Sequence, residues 1–125
     1  MRPSTRRWAR CASALASIPL ALSSCGTTEV CDLLPHTGLT VEVRDAGSGA
    51  PAAEGAAVHA AQGSFQETLT RVGDLSFHGL VERPGTYAVT VAKAGYALFD
   101  TNGVVVRQGD CHVETTTIAV ELGPE

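Results

Sequence analysis

From Leu39 onward the apolar positions fall on every second residue. Leu39, Val41 and Val43 alternate with Thr40 and Glu42, the period of a half-buried strand. A loop composition, Asp45-Ala46-Gly47-Ser48-Gly49-Ala50-Pro51, ends it. Ala56–Ala61, centred on Val58 and Ala60, predicts a weaker strand. Phe65–Arg71 follows, with Phe65, Glu67 and Leu69 on one face. Gly73-Asp74 turns, and Leu75 and Phe77 then alternate with Ser76 and His78. Arg83-Pro84-Gly85 is a strong turn, because proline pre-sets φ and glycine accepts positive φ. The clearest strand comes next, with Tyr87, Val89 and Val91 facing inward and Thr86, Ala88 and Thr90 outward. Asn102-Gly103 precedes a run at Val104-Val105-Val106. A last strand spans Val113–Leu122, with Ile118, Val120 and Leu122 on its apolar face. About seven short strands with turn signals about every 8–12 residues predict an all-β fold, a seven-stranded antiparallel β-sandwich over residues 39–122.

The first residues have a different pattern. Arg2, Arg6, Arg7 and Arg10 precede an apolar stretch from Cys11 to Leu22 that Pro19 interrupts. As a helix that stretch would rise about 18 Å, against about 30 Å of hydrocarbon, so it does not span a membrane. A basic start, a short apolar run and small residues after it make a secretory signal over residues 1–24. Removing it changes the charge picture. Those four arginines are almost half of the 9 basic residues, and none of the 13 acidic ones leaves with them. The mature chain is therefore strongly acidic. Nucleic acid is excluded as a partner, since phosphate binding needs a basic face, and an anionic membrane surface would repel it as well.

Leu22-Ser23-Ser24-Cys25, at the end of the apolar run, resembles the lipobox of bacterial lipoproteins. The resemblance implies a diacylglyceryl group on the Cys25 thiol, cleavage before Cys25, and a lipid anchor on a short leader over residues 25–38. It places the protein in the cell envelope, held to a membrane. Gly26 is not the aspartate that resembles an inner-membrane retention signal, which in a Gram-negative cell implies the outer membrane. Of the four cysteines, Cys11 leaves with the signal and Cys25 takes lipid. Cys31 and Cys111 remain, in an oxidising compartment, and are expected to form one disulfide.

Two further stretches carry a family resemblance. Val43-Arg44-Asp45 with its Gly-Pro loop to Pro51, and Pro84-Gly85-Thr86-Tyr87 running on to Gly95-Tyr96, resemble the carboxypeptidase regulatory-like domains. The resemblance implies a transthyretin-like (prealbumin-like) sandwich over most of the mature chain. It leaves the activity open, because that fold serves unrelated functions. Tyr87, directly after its Pro-Gly turn, is expected to anchor the strand and reach backbone with its hydroxyl.

Candidate chemistry is sparse. His36, His59, His78 and His112 form no His-x-x-x-His or His-x-x-Glu pair, so the zinc spacing of the metallocarboxypeptidases is missing. His112-Val113-Glu114 puts two polar side chains on one strand face and reads as a solvated face. Ser48 lacks a Gly-x-Ser-x-Gly frame. Tyr87 and Tyr96, which an intradiol-dioxygenase-like iron site would need, are explained by the fold motif. Asp45, Asp74, Asp100 and Asp110 sit at strand ends, where calcium ligands converge, and also where turns use aspartate. The sequence thus names no catalytic residue, metal ligand or cofactor. The expected function is a membrane-anchored, non-catalytic structural or protein-interaction module with an envelope protein as partner. The alternative is a subunit that binds a peptide, a glycan or calcium.

Overall fold

A computed structural model describes residues 31–125. The signal segment 1–24, the lipidation site Cys25 and the leader up to residue 30 lie outside the described residues. Nine strands and no helix occur among those described. They are β1 (Leu39–Asp45), β2 (Ala56–Gln62), β3 (Phe65–Thr68), β4 (Thr70–Val72), β5 (Ser76–Gly79), β6 (Gly85–Lys93), β7 (Phe99–Gln108), β8 (Val113–Glu114) and β9 (Thr116–Leu122). Two sheets result, ordered β4-β5-β1-β9 and β3-β2-β6-β7-β8.

The alternation read from the sequence is the alternation of burial. Leu39, Val41 and Val43 of β1 are fully buried, as are Val58 and Ala60 of β2 and Val89 and Val91 of β6. Both sheets feed one apolar cluster, with Phe77, Val120 and Leu122 from the first and Tyr87, Val104 and Val106 from the second. Tyr87 is 1% exposed, and its hydroxyl donates to the carbonyls of Arg83 (2.9 Å) and Pro84 (3.2 Å). That satisfies the one polar atom of the largest fully buried side chain, which would otherwise cost about 1–3 kcal/mol. The Arg83 guanidinium lies 3.6 Å from the centre of the Phe65 ring and closes that end of the core.

Three elements depart from the sequence pattern. The run Phe65–Arg71 is two strands, β3 in one sheet and β4 in the other. Leu69, 4% exposed, sits at the crossing with its amide on the Val58 carbonyl. Val113–Leu122 divides in the same way at Thr115. Both strands cut off are short, with three residues in β4 and two in β8, so nine strands are observed where about seven were expected. The third departure is Asn102-Gly103, which lies inside β7 rather than before it. Gly103 has φ +73°, and the β6–β7 register shifts between Tyr87 and Val89. An extra residue in a ladder is a bulge, and glycine supplies the conformation it needs.

One pairing corrects the antiparallel expectation. β1 and β9 run parallel, in register from Leu39 opposite Thr116 to Asp45 opposite Leu122. Parallel neighbours cannot be joined by a hairpin, so adjacency in sequence gives no hint of such a pair.

The two motif stretches meet at one end of this pair. The Tyr96 hydroxyl donates to Asp45 Oδ2 at 2.7 Å. Asp45 Oδ1 accepts from the amides of Gly47 (2.8 Å) and Ser48 (2.9 Å). Those bonds, the Ser48 amide first, hold the Asp45 carboxyl below its ordinary value of 3.8, and the same contact raises Tyr96. A depressed carboxyl stabilises the fold above its unfolded pKa and loses that contribution as pH falls through the folded value. Tyr96→Phe should therefore lower the urea midpoint at pH 7, and the gap to the parent protein should narrow at about pH 3. A gap that stays constant from pH 7 to 3 would remove the charge from this account.

Candidate functional site

The polar groups that converge most closely lie at the opposite end of β1. They come from three places: the segment before β1, the β5–β6 connection and the loop between β7 and β8. The segment before β1 has a fixed course. The Gly38 amide donates to the Gly79 carbonyl (3.1 Å), and the Gly38 carbonyl accepts from the Thr116 amide (2.9 Å). A Cβ on residue 38 would run into the Leu80 carbonyl oxygen, so only glycine lets the chain pass this closely. Two residues earlier, the His36 carbonyl accepts from the Glu82 amide at 3.0 Å.

Glu82 is the hub. Leu80 and Glu82 are the two non-glycine residues with positive φ among those described, at +53° and +50°. Such backbone is uncommon outside glycine and persists only where surroundings hold it. Here it turns the Glu82 carboxylate toward three donors. Oε2 accepts from the His36 amide at 2.9 Å and meets His112 Nδ1 at 2.5 Å, and Oε1 accepts from the Val113 amide at 3.2 Å. The His36 amide is the leading reason the Glu82 carboxyl titrates below its ordinary range, with the His112 bond adding to it.

His112 is the most enclosed member of the group, with 16% of its side chain exposed, against 31% for Glu82, 42% for His36 and 58% for Asp32. Its Nε2 faces Asp32, 3.0 Å from the backbone carbonyl and 3.0 Å from Oδ1. His36 Nε2 lies 3.6 Å from the same Oδ1. The two imidazoles are stacked, with centroids 3.9 Å apart and planes 14° from parallel. The hydrogen bond to Glu82 raises the His112 pKa; burial, the next largest effect, opposes it, and the Asp32 carbonyl adds to the rise.

This corrects the reading of His112-Val113-Glu114 as a solvated face. Val113 is buried and Glu114 exposed, while His112 precedes β8 and turns into the Glu82–Asp32 gap. Cys31 and Cys111 are disulfide-bonded, which makes Asp32 and His112 the residues directly after the two half-cystines. The sequence signal was there in Cys31-Asp32 and Cys111-His112. A search by local histidine spacing misses a group whose members lie 80 residues apart.

The other candidates stay dispersed. Asp32, His36 and His112 are the one group of three or more ligand-type side chains close enough to share an ion among the described residues. Asp45, Asp74, Asp100 and Asp110 form no such group. His59 is exposed and bonds Thr68 at 3.0 Å, and His78 is half-buried in β5. Ser48 caps its own loop through Asp45. No protein-family model and no curated protein matches the chain.

Proposed function

We propose that the chain is a lipid-anchored envelope protein whose domain is a seven-stranded transthyretin-like sandwich of the carboxypeptidase regulatory-like kind, working as a non-catalytic structural or protein-interaction module. The observation that carries the reading is the Asp45–Tyr96 bond, which joins two motif positions 51 residues apart. In this reading the motif residues hold loops against strands, which is what a display scaffold needs. The disulfide between Cys31 and Cys111 suits an exported protein.

The anchor is Cys25, and its leader is short. The six virtual bonds from Cys25 to Cys31 span at most about 21 Å, after which the disulfide ties the chain to the domain. The domain therefore works beside its membrane, and its partner is an envelope protein within that reach. Cys25→Ala should release the protein from the membrane fraction or leave the precursor uncut, because stable anchoring takes the acyl chains this cysteine would carry. Recovery of the variant in membranes at the mature mass would end the lipoprotein reading. Mild cross-linking of the lipidated protein in its own membranes should then capture a discrete envelope protein. Turnover of ester or peptide substrates by the purified chain would overturn the non-catalytic part. The alternative, a ligand-binding subunit, is favoured among the described residues at the Asp32–His36–His112 group.

A further inference from the structure

We propose that Asp32, His36 and His112 form a binding site for a late first-row divalent metal ion, with Zn²⁺ as the fitting probe and Asp32 Oδ1, His36 Nε2 and His112 Nε2 as its protein ligands. The site is independent of lipid anchoring and goes beyond the role proposed above.

Three observations meet here. The first is distance. A tetrahedral ion with bonds of about 2.0–2.1 Å separates its donors by about 3.3 Å. Asp32 Oδ1 lies 3.0 Å from His112 Nε2 and 3.6 Å from His36 Nε2, so the two gaps straddle that edge. All three donor atoms lie within 4.8 Å of one another. Both Nε2 atoms face the same carboxylate oxygen, but the rings are stacked, so the half-exposed His36 ring must tilt out of the stack to share an ion with His112. The ion takes the place of the proton that His112 Nε2 gives to the Asp32 carbonyl.

The second is the outer contact. Metal-bound histidine usually donates its other ring N–H to a carboxylate, which fixes the tautomer and aims the free nitrogen. Glu82 stands in that position on His112 Nδ1. It is itself held by the His36 and Val113 amides, so the orienting group has little freedom.

The third is preorganisation. Asp32 and His112 each follow a half-cystine of the same disulfide. His36 is clamped through both its amide and its carbonyl to Glu82. All three ligand backbones are therefore fixed without help from the ion. The disulfide also removes both nearby thiols as ligands, leaving a donor set of two nitrogens and one oxygen. Two imidazoles select zinc-like ions over calcium or magnesium, which take oxygen. Three protein ligands leave one coordination position, on the side where Asp32 and His36 are exposed.

The test uses the intact chain in detergent, freed of metal by a chelator and titrated with ZnCl₂ against a chromophoric competitor. One equivalent is expected to bind. His36→Gln and Asp32→Asn should each weaken binding by about tenfold or more, and Glu82→Gln by about 10–100-fold, as loss of an orienting carboxylate does. His59→Gln, which changes an exposed histidine in β2, should bind as the parent does. The His36 bonds to Glu82 run through its backbone, which His36→Gln keeps, so the variant should retain its far-ultraviolet spectrum. No stoichiometric uptake by the parent protein overturns the site. So does a folded His36→Gln or Asp32→Asn protein with undiminished affinity, or an equal loss in His59→Gln.

Discussion

Replacing both Cys31 and Cys111 with serine should lower the melting temperature by about 15–30 °C. The disulfide closes a loop of about 80 residues, which in the chain-entropy description is worth about 4 kcal/mol. Each kcal/mol moves the melting point of a domain this size by about 4–8 °C. The protein has little to set against that loss. Aromatic residues are 5% of the chain, and the core is built mainly from valine, leucine and alanine. Domains of about 100 residues are stable by about 5–15 kcal/mol in all. The bonds from Glu82 to His36, His112 and Val113 remain in the double variant and should keep the segment before β1 in place at low temperature. Calorimetry of the parent and the serine pair measures the difference directly. A drop below about 5 °C would show that the Glu82 contacts and the β1–β9 ladder hold the chain without the covalent link.

Val89→Asp should abolish folding. Val89 is 0% exposed in the middle of β6, between β2 and β7, with Ala60 opposite it on one side and Thr101 on the other. A carboxylate there meets only apolar side chains of the common cluster and has no cation within the core to pair with, because no charged or polar residue is buried among those described. The cost of an unpaired buried charge exceeds the whole stability of such a domain. Thr86→Asp, on the opposite phase of the same strand and exposed, should change stability by no more than about 0.5–1 kcal/mol. Soluble yield and the far-ultraviolet spectrum of the two variants decide the matter. Equal tolerance of both would mean that β6 does not bury the Tyr87–Val89–Val91 face.

These two expectations draw on different amounts of sequence information. The strand phases were legible because period-two alternation records directly which side of a sheet meets the core. Leu39, Val41 and Val43 are the clearest case, and they line up as read. The crossings at Leu69 and Thr115 were not legible. A strand that leaves one sheet for the other keeps its alternation, so hydrophobic pattern does not mark the change. Asn102-Gly103 has the composition of a turn, and only the partner strand reveals that it is a bulge. The candidate site was the least visible of all. Asp32, His36, Glu82 and His112 come from three connections that carry no periodic signal. Their meeting depends on the left-handed backbone at Leu80 and Glu82 and on a disulfide partner far along the chain. Glu82 in particular stands in a segment whose only sequence signal was the turn that follows it.

The parallel pairing of β1 with β9 also sets an order of events. β1 has β5 on one side and β9 on the other, and β9 is the last of the described strands. Until Thr116–Leu122 has been delivered, Leu39, Val41 and Val43 lack the neighbour that completes their sheet. Contacts between chain ends are slow to form, because the loop between them must be closed first. The β4-β5-β1-β9 sheet therefore stays incomplete until residues 116–122 have paired. Once β9 has paired, the same ladder sets β1 and β9 side by side, and because Cys31 and Cys111 lie just upstream of each, it also brings together the two segments that the disulfide joins.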